Sequence, residues 1–428
     1  MPLRCGNTGP ALAGLGICFT VSALALLLLL GATPAPADTY VVDRTDDSTV
    51  DACTDSAGDC ALRGAILKAN ANPGADEIVL PAGTYTLSLA GTGEDLGATG
   101  DLDVRHELLL RGAGPELTVV DGGGIDRVFH VRASEQRLTL RGIQVTGGSC
   151  APGDDGGGIR SQEGALRLET VWVFGNVCPD GSGGVTAGGC APAQRTEIVD
   201  SWIADNQGGT YGGIYAGCPL YLERSTVSGN SGVRTGGGIG LVDTDNFLLQ
   251  STFRGNTGPD LSSPGGVRLM PSRSAIIDAC TFADNLGRDL QVEAGGAVEL
   301  MNTLVQGECG GPELPVSIGG NLESPGHTCG LGADDFADVA DLGLSTFGWY
   351  GGPAPVLRPA AGSAAIDQEI AGPNGSPLDQ RLFARPRDGD GDGGATWDIG
   401  AVELWAPGEV FLDGFECGFL TSWSLSAP

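Results

Sequence analysis

Gly212-Gly213-Ile214-Tyr215-Ala216, then Leu220-Tyr221-Leu222-Glu223, then Thr226-Val227-Ser228-Gly229-Asn230 are three short runs in close succession. Each alternates or clusters apolar residues as a strand does, and each is too short to bury a face alone. The same pattern returns on both sides. Gly-Gly before a β-branched residue recurs at Ile159, Val185, Ile214, Ile239 and Val267, with a looser copy at Gly295-Gly296-Ala297-Val298. An apolar residue three places before Asn recurs at Val173, Ile203, Val227, Phe253 and Phe282. The asparagines are Asn176, Asn206, Asn230, Asn256 and Asn285, at intervals of 30, 24, 26 and 29. A period that varies this much excludes helical repeats of fixed length. It suits stacked coils whose turns accept insertions. Residues 76–330 are therefore expected to form an all-β, right-handed parallel β-helix of about seven to nine coils. The repeated asparagines are expected to form a turn-stabilising ladder and to have no catalytic role.

Cysteine spacing supports the stack. Cys178 follows Cys150 at the same repeat position one period later, and Cys218 follows Cys190 at the same interval. Stacked coils place such Cα atoms at about 5 Å, inside the disulfide range. Cys53–Cys60 and Cys309–Cys329 would close local loops. Cys280 falls at an inward position and reads as a buried free thiol.

Composition agrees with this architecture. Glycine supplies 73 of 428 residues, without the three-residue period of collagen, and 41% of residues are hydrophobic. The chain carries 23 basic and 53 acidic residues, a formal charge of −30, and Lys68 is its only lysine. A surface this acidic excludes nucleic acid as a natural ligand and weakens any case for a strongly anionic one.

The N-terminus reads as an export signal: Arg4, an apolar run from Ala11 to Leu30, and an Ala35-Pro36-Ala37 cleavage site. Residues 1–37 are taken as a signal peptide, the chain's only membrane-directed segment. The expected address is extracellular or on a bacterial cell surface, associated with the outer membrane, where the remaining cysteines form disulfides. Residues 38–75 form an N-terminal cap, with a helix at 61–71 carrying the apolar stripe Leu62, Ala65, Ile66 and Ala69. Such a helix can plug the open end of a solenoid core, which otherwise exposes unpaired strand edges.

The segment Cys60-Ala61-Leu62-Arg63-Gly64-Ala65 resembles the naming motif of the CSLREA domain of secreted bacterial proteins, departing at Ala61 and at Gly64, where Glu is usual. Residues 38–135 resemble that domain as a whole, which precedes a right-handed β-helix. The Gly-Gly-Ile and Phe-x-x-Asn motifs resemble polymorphic outer membrane protein repeats. Residues 331–405 are similar to the "choice-of-anchor" region of the same proteins. The signature there is Asp379-Gln380-Arg381, Ala384-Arg385-Pro386 and Asp398-Ile399-Gly400-Ala401-Val402-Glu403. The tail, 406–428, resembles their short C-terminal motif at Asp413-Gly414-Phe415-Glu416 and Trp423-Ser424. The resemblance implies a secreted or surface β-helix and brings no established reaction.

A catalytic reading meets few matching residues. The three histidines, His106, His130 and His327, lie in no Gly-His-Gly turn, and Lys68 lies in the cap helix, so no Arg-x-Lys element exists. Glu169, Asp200, Glu223 and Asp278 precede the Asn motifs without a fixed two-residue register, as solvated outward positions would. Gly389-Asp390-Gly391-Asp392-Gly393-Gly394 matches a dinucleotide-loop pattern, but its aspartates would repel a pyrophosphate. Asp388, Asp390 and Asp392, with Gly393 next, read better as candidate calcium ligands. Ile399 stands where an EF-hand needs its bidentate Glu; Asp398 or Glu403 is the candidate to complete another shell. No cofactor is required, with calcium as the one candidate ion. The expected function is a structural or binding solenoid, adhesive in character, whose partner is a cell-surface glycan or envelope component. The alternative is a carbohydrate-active lyase or hydrolase of the pectin-lyase-like fold.

Overall fold

The computed structural model describes residues 37–405, apart from Pro73, 133–135, Glu163, 192–193, Thr244 and 369–376. The expected signal peptide, through Pro36, and the tail 406–428, with Cys417, lie outside the described residues.

The chain is a parallel β-solenoid of three long sheets. Among the described residues the first has eleven strands, the second ten and the third nine, so nine coils contribute a strand to every sheet. Every pairing between these strands is parallel. In the coil that follows Tyr215, Leu220–Glu223 lies in the first sheet, Thr226–Ser228 in the second and Ile239–Leu241 in the third. The Gly-Gly-Ile runs begin third-sheet strands, and the runs before Asn are second-sheet strands. The first sheet starts earlier than residue 76, because Thr39–Val41 pairs with Glu77–Val79 ahead of the helix.

Inward rows are almost wholly apolar. Leu168, Ile198, Leu222, Leu248 and Ile277 stack beneath the first sheet, and Val173, Ile203, Val227, Phe253 and Phe282 beneath the second. The Phe253 and Phe282 rings are stacked at 4.6 Å. Helix α1, Leu62–Ala71, presses Leu62, Ala65, Ile66 and Ala69 into the end of this core. Arg63 on the same helix is buried. It pairs with Asp47 at 2.6 Å and donates to the carbonyls of Gly97, Gly100 and Asp101, holding the loop before the first third-sheet strand.

Corners are held by side-chain ladders. Asn230 Oδ1 accepts from both the backbone N–H and the amide of Asn206, at 3.1 and 2.9 Å. Asn230 Nδ2 donates to Ile203 O and Asn256 Oδ1, and the pattern repeats from Asn176 to Asn285. A second ladder turns the corner between the first and second sheets through Ser201, Ser225 and Ser251, each hydroxyl accepting from the residue one coil earlier. Cys280 occupies that position in the next coil as a buried free thiol, its pKa pushed far up by burial. The Gly-Gly pairs are a packing requirement. A Cβ on Gly212 would run into the backbone of Ser231, and one on Gly213 would sit 2.6 Å from Gly238 O.

Disulfides join Cys150 to Cys178 and Cys190 to Cys218 on successive coils, with Cα separations of 4.9 and 5.6 Å. Cys53–Cys60 and Cys309–Cys329 close local loops. The four disulfides among the described residues are what an oxidising, extracytoplasmic compartment allows. Among the described residues no helix is long and apolar enough to cross a membrane.

The described residues past Glu323 carry no strand, and several of them, Pro353, Pro355, Gln380 and Ala401 among them, bond to residues of the second sheet. Gln380 spans two coils, donating to Thr226 Oγ1 at 2.7 Å and accepting from Thr252 Oγ1 at 2.6 Å. Thr226 Oγ1 donates to Pro355 O, and Thr281 Oγ1 accepts from Ala401 N. Outward threonines at three consecutive coils, Thr226, Thr252 and Thr281, are thus the docking strip.

Candidate functional site

The first sheet keeps an open outer face over its middle coils. Register places Glu197, Tyr221, Phe247, Ile276 and Glu299 in one outward row. The Tyr221 and Phe247 ring centroids are 6.4 Å apart, and the Arg195 guanidinium lies 4.8 Å over Tyr221. Arg195 is itself held by Glu197 at 2.9 Å. Beside this strip runs a groove of about 180 Å³ with Phe247 and Ile276 at its floor and Asp245, Ser274 and Glu299 on its rim. Ser274 Oγ accepts from Asp245 N–H at 3.1 Å, tying two coils of the rim together. The groove is smaller than a pocket that encloses a drug-sized ligand. It suits a flat ring held on one face, with hydroxyls meeting the acidic and hydroxyl rim. Asp245 and Glu299 are both solvent-exposed.

The third sheet carries a polar outward row, Asp103, His130, Arg160, Thr186, Tyr215, Gly240, Arg268 and Gln291. Its cations are already engaged. Arg160 pairs with Asp154 at 2.9 Å, Arg268 with Glu293 at 2.6 Å, and Arg127 beside the row with Asp101 at 2.7 Å. His130 is only 2% exposed, so it cannot reach a bulky substrate as a general base. Tyr211 lies over Gly240, where a Cβ would collide with its ring, and burial pushes its hydroxyl up.

The structure corrects one sequence expectation. Glu223 and Asp278 are not solvated. They are 8% and 1% exposed, and Glu223 pairs with Arg224 at 2.6 Å. Asp200 takes the same arginine at 2.7 Å, and Glu169 takes Arg141 at 2.8 Å. Glu169 and Asp200 thus balance arginines from neighbouring coils. In the acidic C-terminal loop two of the three candidate calcium ligands come together. Carboxylate oxygens of Asp388 and Asp390 converge with one from Asp367, all within 4.8 Å, and Asp392 is not among them. Asp392 Oδ1 instead accepts from Gly394 N at 2.7 Å. Nor do Asp398 and Glu403 complete this shell. Both are fully buried, Glu403 against Arg385 at 2.7 Å and Asp398 on the backbone N–H groups of Asp367 and Leu404. Asp367 lies well upstream of Asp388 and had no local motif to mark it.

The motif residues of the C-terminal region are structural. Asp379 pairs with Arg381 at 2.6 Å, Arg385 with Glu403, and Gln380 reaches the threonine strip. Trp349 of this region is 51% exposed and meets Trp172 and Trp202 of the second sheet at 5.5 and 6.0 Å. Trp172 Nε1 donates to Pro353 O, so this cluster seals the docked edge.

No protein-family model matches the chain, and no curated protein matches it. Among solved structures, the A-module of mannuronan C-5 epimerase AlgE6 from Azotobacter vinelandii is similar over 70% of this chain and 91% of that one, at 16% identity and a TM-score of 0.27. The fold assigned above rests on the chain's own strand pairing.

Proposed function

We propose that this is an exported, non-catalytic binding solenoid that holds a neutral or weakly charged surface glycan along the first sheet. The observation that carries the reading is the groove beside Phe247 and Ile276, continued by Tyr221 one coil away, under an acidic and hydroxyl rim. An aromatic face takes the apolar face of a sugar ring, while the rim takes its hydroxyls. The net charge of −30 disfavours an anionic polymer. Adhesion to a cell surface or envelope component follows naturally from a long repeated face of this kind. Calorimetry against neutral oligosaccharides of graded length is expected to show affinity rising with length over the first few sugars. Phe247→Ala is expected to weaken binding about tenfold, as removal of a stacking ring worth about 1.4 kcal/mol does. Appearance of shortened or unsaturated products on prolonged incubation would favour the carbohydrate-active alternative. An unchanged affinity in Phe247→Ala would remove the groove from consideration.

We also propose calcium at the C-terminal loop, with Asp367, Asp388 and Asp390 as its ligands. Three carboxylates converging within 4.8 Å repel one another, and a hard cation relieves that. Extracellular sites of this kind work at about 0.1–1 mM. Millimolar calcium is then expected to raise the melting temperature by about 1–3 °C. The rise should vanish in Asp367→Asn and persist in Asp392→Asn. Equal rises in both variants would return the loop to a solvated turn.

A further inference from the structure

We propose that Asp95, Asp103 and His130 form a site for a borderline divalent transition ion of the zinc class. Asp103 and His130 are neighbours in the outward row of the third sheet, one coil apart. Asp95 comes from the loop that crosses above them. His130 Nδ1 is 3.1 Å from Asp103 Oδ1 and 4.0 Å from Asp95 Oδ1. One ligand atom from each of the three residues lies within 4.8 Å of the other two.

Two of these atoms are buried and face each other in the site. Asp103 is 0% and His130 2% exposed, yet neither Asp103 Oδ1 nor His130 Nδ1 has a hydrogen-bond partner among the described residues. The 3.1 Å approach between them is close but not aligned as a hydrogen bond. Their orientation is imposed from outside the cluster. Asp103 Oδ2 accepts from Gly97 N at 2.8 Å, which turns Oδ1 toward the histidine. His130 Nε2 lies 3.4 Å from Gln162 Oε1. An N–H on Nε2 donating to that amide leaves the lone pair on Nδ1, the arrangement that holds a metal-ligating imidazole. A lone pair facing two carboxylates is unfavourable unless a proton or a metal ion lies between them. An ion with bonds of about 2.0–2.2 Å to one nitrogen and two oxygens spans separations near those seen.

The donor set selects the ion class. One imidazole and two carboxylates suit zinc and its neighbours, whereas calcium and magnesium call for six or more oxygens. Asp95 is half exposed, which provides an entry path and leaves a fourth position to water. Arg132 holds Asp95 at 2.6 Å and competes with the ion for it. A bound ion would clip the loop carrying Asp95 to the second coil of the third sheet. The site is independent of the glycan groove.

The test uses the full chain stripped with chelator and titrated with Zn²⁺ and Co²⁺ alone. Expected are one tight equivalent, a visible Co²⁺ spectrum of low coordination number, and a metal-dependent shift of the His130 imidazole resonances. His130→Gln and Asp95→Asn should each weaken this equivalent at least tenfold, and Arg132→Ala should leave it unchanged or tighten it. Asp388→Asn/Asp390→Asn should leave it in place, which separates it from the acidic loop. Asp95→Asn alters an exposed side chain and keeps the test valid if His130→Gln fails to fold. Absence of a tight equivalent overturns the proposal, as does one that survives both His130→Gln and Asp95→Asn.

Discussion

Asn230→Leu is expected to destabilise the solenoid by roughly 3–5 kcal/mol, among the largest losses from one uncharged side chain. Three buried groups lose their partner at once: the backbone N–H of Asn206, one amide hydrogen of Asn206 and the carbonyl of Ile203. Each costs about 1–3 kcal/mol when left unsatisfied. Leucine has the same branching and leaves no cavity, so the loss combines the missing hydrogen bonds with the overpacking of its bulkier methyl groups. The same substitution at Asn285, a half-buried end rung, should cost much less. Asn230→Asp adds a pH signature. The new carboxyl is buried against the Ile203 carbonyl, so its folded pKa lies above its unfolded one. Its contribution is greatest below about pH 4 and is lost as pH rises through the folded value. Urea denaturation with hydrogen exchange at Asn206 and Asn230 measures both effects. Equal losses at Asn230 and Asn285 would mean that the ladder is incidental to stability.

Arg385→Met should undock the C-terminal region at a cost of about 3–5 kcal/mol, the range for breaking a buried ion pair from one side. Arg385 is 0% exposed at its side chain, as is Glu403, and it also donates to the carbonyls of Asp398 and Gly400. Without it, Glu403 and Asp398 face each other uncompensated. Burial already raises both carboxyls above their ordinary values of 4.5 and 3.8, most strongly by desolvation, and Arg385 opposes that rise. An acid whose folded pKa is raised contributes its stability below the unfolded value and loses it as pH climbs through the folded one. The deficit of Arg385→Met should therefore deepen from pH 5 to pH 8. Arg385→Met/Glu403→Leu should recover part of it, because an apolar pair needs no charge compensation. Exchange protection would fall at Gln380 and Ala401 while the coils around Leu222 stay protected. A deficit that is flat with pH would place the cost in packing instead of charge.

Much of the repeat is legible without coordinates. Gly212-Gly213-Ile214 and Val227-x-x-Asn230 recur because every coil presents the same three corners to its neighbours. A requirement at one coil is a requirement at the next. The cysteine pairs are legible for the same reason, since Cys150 and Cys178 share a repeat position. The serine ladder at Ser201, Ser225 and Ser251 shares that periodicity but stays hidden, because serine is also an ordinary loop residue. Glu223 and Asp278 show the opposite failure. Periodicity places them outward correctly and says nothing of the packing that covers them, or of the arginine that meets Glu223.

The order of amino acids suffices for the coil: its three strands, its corner residues, its inward rows and the staples between successive turns. Those contacts join residues one period apart, so their spacing is printed in the repeat. What lies on the outside emerges only in the folded chain. The docking of Gln380 on Thr226 and Thr252, the convergence of Asp367 with Asp388 and Asp390, and the meeting of Asp95 with His130 all involve a segment with no period. A loop's end-to-end path depends on packing and not on local propensity, so no spacing in the chain announces where its side chains arrive.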